Sequence, residues 1–306
     1  MNPKSICAVV VTYNRKELLL RCLKALQMQS QQLAHILVVN NASSDGTIDF
    51  LSENGFSDNS SFTLLNLEEN LGGAGGFHYG IKWVYEKGFD YIWLMDDDGL
   101  PEQHCLAELT KYITKDNYIG PLVLNINNPK ELTFSLRLPN TNTVIYTQDE
   151  ANLYGVIIKD IVMPFNGILF SRKVVDSIGL PYKEYFIWGD DMEYTWRAKK
   201  NKIAIFTVNS AKFYHPKEAS LGTPMFFRKL RFNDTESALK LYCMCRNNLR
   251  NLIEYKGYLI ALLFIIKVCW FYLFTKPNFN KLRISLNGIW AGLVKDFTKH
   301  KKYLGI

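Results

Sequence analysis

Ile6-Cys-Ala-Val-Val-Val-Thr12, followed by Tyr13-Asn14-Arg15, is the stretch that decides the fold. Its β-branched residues do not alternate with polar ones. Such a strand is covered on both faces, as in a parallel sheet with helices on each side. Working outward, residues 16–29 place apolar side chains at Leu18, Leu19, Cys22, Leu23 and Leu26, a helical spacing. His35–Asn40 is a second strand, and Asn41-Ala-Ser-Ser-Asp-Gly-Thr47 is a turn capping a helix over Thr47–Asn54. Phe62–Leu67 is a third strand. Asn70–Gly76 is a glycine-rich turn before a helix over Phe77–Lys87, and Tyr91–Met95 is a fourth strand ending at Asp96-Asp97-Asp98.

Strands alternating with helices predict a parallel sheet joined by right-handed crossovers. Such sheets bind ligands at the carboxyl ends of their strands. The polar clusters Thr12–Arg15, Asn40–Asp45, Asn70–Gly73 and Asp96–Asp98 all fall at those ends. From about Tyr118 the rhythm breaks into short β-like runs (Tyr118–Leu124, Thr133–Leu138, Thr143–Tyr146, Gly155–Val162, Asn166–Ser171, Ala204–Val208) and helices over Val174–Ile178 and Asp190–Asn201. This half reads as a mixed α+β region completing the site. After about Thr223 the sequence turns helical and basic.

The 306 residues are 48% hydrophobic, enough for a packed core. The net charge of +7 is uneven: residues 241–306 hold eleven Lys/Arg against two Asp/Glu, leaving the first 240 slightly acidic. A basic tail rich in aromatic residues suits an anionic membrane surface. No nucleic-acid motif accompanies it. The six cysteines match no zinc or C-x-x-C spacing. Met1-Asn-Pro-Lys-Ser5 leads straight into a strand, so no leader is expected and unpaired thiols in a reducing cytosol are.

Three carboxylates at one strand end repel one another unless a cation relieves them. Mg²⁺ or Mn²⁺ prefers a few carboxylates plus phosphate oxygens, so Asp96 and Asp98 are expected to hold a metal that neutralises a leaving diphosphate. In Asn70-Leu-Gly-Gly-Ala-Gly-Gly-Phe77 the glycines let backbone approach a ligand, or let a helix pack closely on a strand. Trp188-Gly-Asp-Asp-Met-Glu-Tyr194 carries a second acidic cluster at a helix start, where the helix dipole also favours acids. Transfer to a hydroxyl needs a base, and Asp191 is expected to be it, ahead of Asp190. His215, in Phe213-Tyr-His-Pro216, is either a structural histidine or a third metal ligand.

Val9–Arg15, Asn40–Thr47 and the triple Asp together resemble the family-two glycosyltransferases of GT-A fold. Asn70–Phe77, Phe186–Tyr194 and His215 are similar to the galactofuranosyltransferase branch, which uses UDP-galactofuranose. The resemblance covers residues 4–220. It implies a Rossmann-like α/β fold with a mostly parallel sheet. Residues 1–120 would form the nucleotide-sugar-binding half, 121–223 the acceptor and catalytic half, and 224–306 a basic helical segment. It implies that Thr12, Asn14, Arg15, Asn41, Asn70, Gly73, Asp96 and Asp97 serve the donor, and that Asp96, Asp98 and His215 hold Mn²⁺ or Mg²⁺. Trp188, Asp190 and Glu193 would meet the acceptor, and Asp191 would be the base of an inverting, single-displacement transfer. Polymerising members of the branch carry paired tryptophans after an Asn-Gly aligned with Asn166-Gly167. Ile168 and Leu169 stand here, which speaks against processive polymerisation.

Tyr258–Phe274 is apolar apart from Lys267. It is short for a span of roughly 20 residues, and a mid-bilayer Lys costs about 2.5–3.5 kcal/mol. An interfacial helix on the cytoplasmic face of the membrane is expected, where it would meet a lipid-linked glycan acceptor. The same helices are also suited to joining two copies of the chain. Rhamnosyl, galactopyranosyl and glucosyl donors are the nearest alternatives for the sugar. Nucleotidyl transfer would need a basic, glycine-rich loop that Thr12-Tyr-Asn-Arg15 does not provide. A non-catalytic nucleotide-sugar-binding scaffold would not need the second acidic cluster.

Overall fold

The computed structural model describes residues 5–217, 222–227 and 230–304. Residues 1–4, on which part of the no-leader expectation rests, lie outside the described residues. The chain divides into two compact units: Met1–Pro181 with Arg197–Lys217, and Tyr182–Trp196 with Glu218–Ile306.

The first unit begins with β1 (Ile6–Thr12), α1 (Lys16–Gln27), β2 (His35–Asn40), α2 (Thr47–Glu53), β3 (Phe62–Asn66), α3 (Gly72–Glu86) and β4 (Tyr91–Asp96). β1 pairs in parallel with both β2 and β4, and β2 with β3. β1 and β2 are buried at every position, as their unbroken apolar runs require. Leu19, Cys22, Leu23 and Leu26 of α1 join the same core as Ile6, Ala8, Val10, Val38, Trp93 and Met95.

Next come β5 (Leu100–Pro101), α4 (Cys105–Thr110), β6 (Asn117–Asn125), β7 (Asn128–Arg137), β8 (Val144–Thr147), α5 (Gln148–Asn152), β9 (Ile157–Lys159), β10 (Ile168–Ser171) and α6 (Arg172–Ile178). Helix α7 (Asp190–Lys200) begins in the second unit and ends in the first, which β11 (Ala204–His215) closes. The main path of the eleven-stranded sheet is β3-β2-β1-β4-β10-β6-β11-β5. β10 runs antiparallel to β4 and β6, so the parallel half gives way to a mixed one. This is the α/β, mostly parallel architecture expected, with the break where the periodicity fails.

Two expectations for this first unit are corrected. Residues 70–76 are not a turn preceding a helix at Phe77, because α3 already starts at Gly72. The reason is packing: a Cβ at Gly76 would strike Val11, and one at Gly80 would come within 2.5 Å of Val9 Cγ1. Glycine lets the helix lie against β1 from its first turns. β11 also does not stop at Val208. It bulges between Val208 and Lys212 and continues to His215.

In the second unit the chain after Thr223 is not helical at once. A hairpin of β12 (Thr223–Met225) and β13 (Leu230–Phe232) precedes α8 (Ala238–Tyr255), α9 (Tyr258–Trp270) and α10 (Phe279–Val294). Its core gathers Met225, Phe232, Leu241, Met244, Leu249, Val268, Phe271, Tyr272 and Ile289.

Candidate active site

β4 delivers the acidic triplet to the carboxyl edge of the parallel strands. Two residues beyond Asp98, β5 pairs antiparallel with the end of β11, Leu100 opposite Tyr214. That register brings His215 beside Asp98. Gly99 makes the approach possible, since a Cβ there would strike the Phe213 ring. His215 Nε2 then lies 3.1 Å from Asp98 Oδ1.

The tautomer of His215 carries the chemistry. Its Nδ1 lies 2.7 Å from the Pro216 carbonyl, which can only accept, so Nδ1 bears the hydrogen. In a neutral ring Nε2 then points a lone pair at a carboxylate oxygen. Asp98 Oδ1 is itself buried and takes no hydrogen bond among the described residues. Two acceptors facing each other need a proton or a cation between them. Burial pulls the His215 pKa down, but the Asp98 carboxylate outweighs it and the value rises above 6.5. Burial pushes Asp98 up, yet His215 and Arg15 hold it below the ordinary carboxylate range. A separation near 3 Å also suits two ligands sharing one octahedral ion about 2.1 Å from each. The donor set therefore fits Mn²⁺ or Mg²⁺. No cluster of three or more His, Cys, Asp or Glu with metal-site geometry is found among the described residues. The expected set of Asp96, Asp98 and His215 is thus not gathered as a three-residue site, and Asp98 and His215 are the pair brought together.

Asp97 does something different. It is 3% exposed, and its carboxylate accepts from Thr12 Oγ1 at 2.7 Å and from Arg15 Nη1 at 3.3 Å. Burial raises its pKa, against the pull of Thr12 and Arg15. Arg15 also reaches Asp98 Oδ2 at 3.1 Å, so one guanidinium ties the β1 loop to both acids. Thr12 and Asp97 are thus turned inward, whereas Arg15 is half exposed.

Three asparagines brace the neighbouring loops. Asn14, at φ +54°, accepts from Ser44 N at 2.7 Å and donates its own N–H to Ser43 Oγ. Asn41 is buried: its Nδ2 donates to Asn70 Oδ1 and Gly72 O, and its Oδ1 accepts from Leu71 N. Asn70 Oδ1 also accepts from Gly72 N. Asn41 and Asn70 therefore fix the start of α3. Gly73 is the exception in its stretch, because a Cβ there would meet nothing within 4 Å.

In the second unit the acidic cluster starts α7. Asp190 and Glu193 are buried, and the Glu193 carboxylate accepts from Tyr255 Oη at 2.5 Å. Trp188, at φ +73°, packs on the second unit's core. Asp191 accepts from Met192 N at 2.6 Å. Burial pushes its pKa up to about 6, against the lowering effect of that hydrogen bond. It is thus a carboxylate held near the pH at which it takes and gives a proton.

The sequence pattern of the family described as Glycosyl transferase family 2 matches residues 7–179. The chain belongs to glycosyl transferase family 2. It is 29% identical to galactofuranosyltransferase GlfT1 of Mycolicibacterium smegmatis over 272 residues, covering 84% of this chain and 83% of that one. Identity to GlfT1 of Mycobacterium tuberculosis is 32% over 217 residues, 70% of each chain. The structure of GalNAc-T7 with UDP, GalNAc and Mn²⁺ superposes with a TM-score of 0.61 at 15% identity. It covers 83% of this chain and 49% of that one, so the chain spans about half of that protein's length. The fold is GT-A, and the protein is a glycosyltransferase.

Some residues that shape this glycosyltransferase carry no warning in the sequence. Arg246, Asn247 and Asn251 of α8 are buried polar side chains that a helical pattern would put in solvent. Their one signal is an Arg-Asn pair inside an otherwise apolar helix face.

Proposed function

We propose that this glycosyltransferase moves galactofuranose from UDP-galactofuranose to a glycan or lipid-linked polysaccharide precursor, with inversion at the anomeric carbon. The observation that carries the metal-assisted part is the His215–Asp98 pair, two ligand atoms facing each other with no proton shared in the neutral state. The two GlfT1 relatives support the sugar.

In this reading Asp96, Asp98 and His215 hold Mn²⁺ or Mg²⁺, which supplies positive charge beside the leaving diphosphate. Arg15 adds a fixed cation in the same place. Gly73 leaves room for the donor, while Thr12, Asn14, Asn41, Asn70 and Asp97 set the loops around it. Asp191 takes the proton of the acceptor hydroxyl. A bond forms from that oxygen to the anomeric carbon as the bond from the carbon to phosphate oxygen breaks, and UDP departs. Trp188 and Asp190 orient the acceptor, and Glu193 acts through Tyr255.

We also propose that α9 lies on the cytoplasmic surface of a membrane. Residues Tyr258–Thr275 are long and apolar enough to cross one, with mean hydropathy 2.1, but only 22% of that stretch is buried within the protein. Leu259, Leu262, Leu263, Ile266 and Trp270 recur at helical spacing on its exposed side, and Phe274 follows in the helical turn Phe271–Thr275. Phe226 continues that side, its ring centroid 4.5 Å from that of Trp270. Apolar faces with aromatic borders and basic neighbours suit an anionic bilayer surface.

A panel of UDP- and dTDP-sugars with Mn²⁺ and a lipid-linked acceptor tests the sugar. Turnover of UDP-galactofuranose above all others is the expected result. Turnover of a rhamnosyl, galactopyranosyl or glucosyl donor without it would replace the galactofuranose assignment.

A further inference from the structure

The backbone that leads into Asp190 and Asp191 is held in an unfavourable shape. Phe186, Trp188 and Gly189 have φ of +65°, +73° and +85°. Two of these are bulky side chains in a region that L-residues rarely occupy. Such a segment persists only when its surroundings fix it.

Helix α8 supplies the fixing. Asn247 Nδ2 donates toward the carbonyls of Tyr185, Ile187 and Trp188 at 3.0, 3.1 and 2.7 Å. Asn251 Nδ2 donates to Gly189 O at 2.8 Å, and its Oδ1 accepts from Tyr185 Oη. Arg246 Nη2 donates to Tyr185 O at 2.7 Å and Glu184 O at 3.3 Å, while its Nε donates to Asn247 Oδ1 at 2.8 Å. Arg246 is 0% exposed, and these partners are neutral. Burial of this cation lowers its pKa, the desolvation outweighing the pull of its neighbours, Asp296 among them. α10 presses from behind: a Cβ at Gly288 would come within 2.5 Å of Tyr242 O, and one at Gly292 within 2.5 Å of Arg246 O. Every carbonyl from Glu184 to Gly189 except that of Phe186 is thus gripped by one of three side chains on a backed helix.

We propose that Arg246, Asn247 and Asn251 are positioning residues that set where α7 begins and so hold the Asp191 carboxylate in place for the acceptor. This rests on Asp191 being the base. Misplacing a reacting group by about 1 Å costs on the order of 10²-fold in rate.

The test is steady-state transfer by Asn247→Ala and by Asn247→Asp, which keeps the acceptor for Arg246 Nε and loses the donor to the carbonyls. Asp191→Asn is run beside them. We expect folded variants whose kcat falls roughly 10–100-fold while KM for the donor moves less than about twofold. Loss of packing alone would move melting temperature and KM with kcat. If Asn247→Ala does not fold, Asn247→Asp carries the measurement. Parental kcat in either folded variant, with Asp191→Asn inactive, overturns this inference alone. An active Asp191→Asn overturns the base and this inference with it.

Discussion

His215 Nε2 and Asp98 Oδ1 lie 3.1 Å apart, brought together by the pairing of Tyr214 with Leu100. Because His215 Nδ1 is committed to the Pro216 carbonyl, a metal and a proton compete for the same nitrogen. Asp98→Ala or His215→Ala should weaken Mn²⁺ binding by at least roughly tenfold, measured by calorimetry. Affinity in the parent should rise with pH up to and through the raised His215 pKa, since only the unprotonated ring can bind a metal. Equal affinity in parent and variants would remove the pair from the metal site.

Asp191 gives a separate pH signature. Its carboxyl pKa is raised to about 6, and a base works only when ionised. The sign follows: kcat should be flat above that value and fall about tenfold per pH unit below it. The folded state binds this proton more readily than the unfolded chain, so ionising Asp191 as pH rises from about 4 to 6 costs stability. Asp191→Asn should therefore melt no lower than the parent at pH 7. A pH–kcat profile without an acidic limb near 6 would contradict the assignment.

Two glycines of one stretch should behave oppositely. Gly76→Ala drives a methyl into Val11 and should cost about 1–3 kcal/mol in denaturant unfolding. Gly73→Ala meets nothing and should leave stability within about 0.5 kcal/mol while raising KM for the donor. Equal destabilisation by both would mean that Gly73 serves packing too.

The sequence resolves these features unevenly. The strands Ile6–Thr12 and His35–Asn40 are legible because full burial demands unbroken β-branched runs, and the acids at the end of β4 stand out against Tyr91–Met95. The start of α3 is not legible. Glycine disfavours helix, and only the close approach to β1 explains Gly76 against Val11 and Gly80 against Val9. His215 is ambiguous in sequence because what decides its role is a two-residue strand, too short to show a period. The inward turn of Thr12, Asp97 and Asn41 is equally hidden: the same polar residues at a strand end can face a ligand or brace the loop beneath it.

The exposed apolar side of α9 predicts membrane affinity. The protein should co-sediment with phosphatidylserine vesicles, and Leu263→Glu with Ile266→Glu should abolish this without lowering transfer to a soluble acceptor. Unchanged vesicle binding, or a dimer that the double variant dissociates, would assign that face elsewhere.

Asp191→Asn, assayed for donor binding and transfer in the same Mn²⁺ buffer, tests the division of labour between the metal ligands and the base. UDP-sugar Kd should match the parent while transfer falls at least about 100-fold. Transfer at the parental rate would contradict the mechanism.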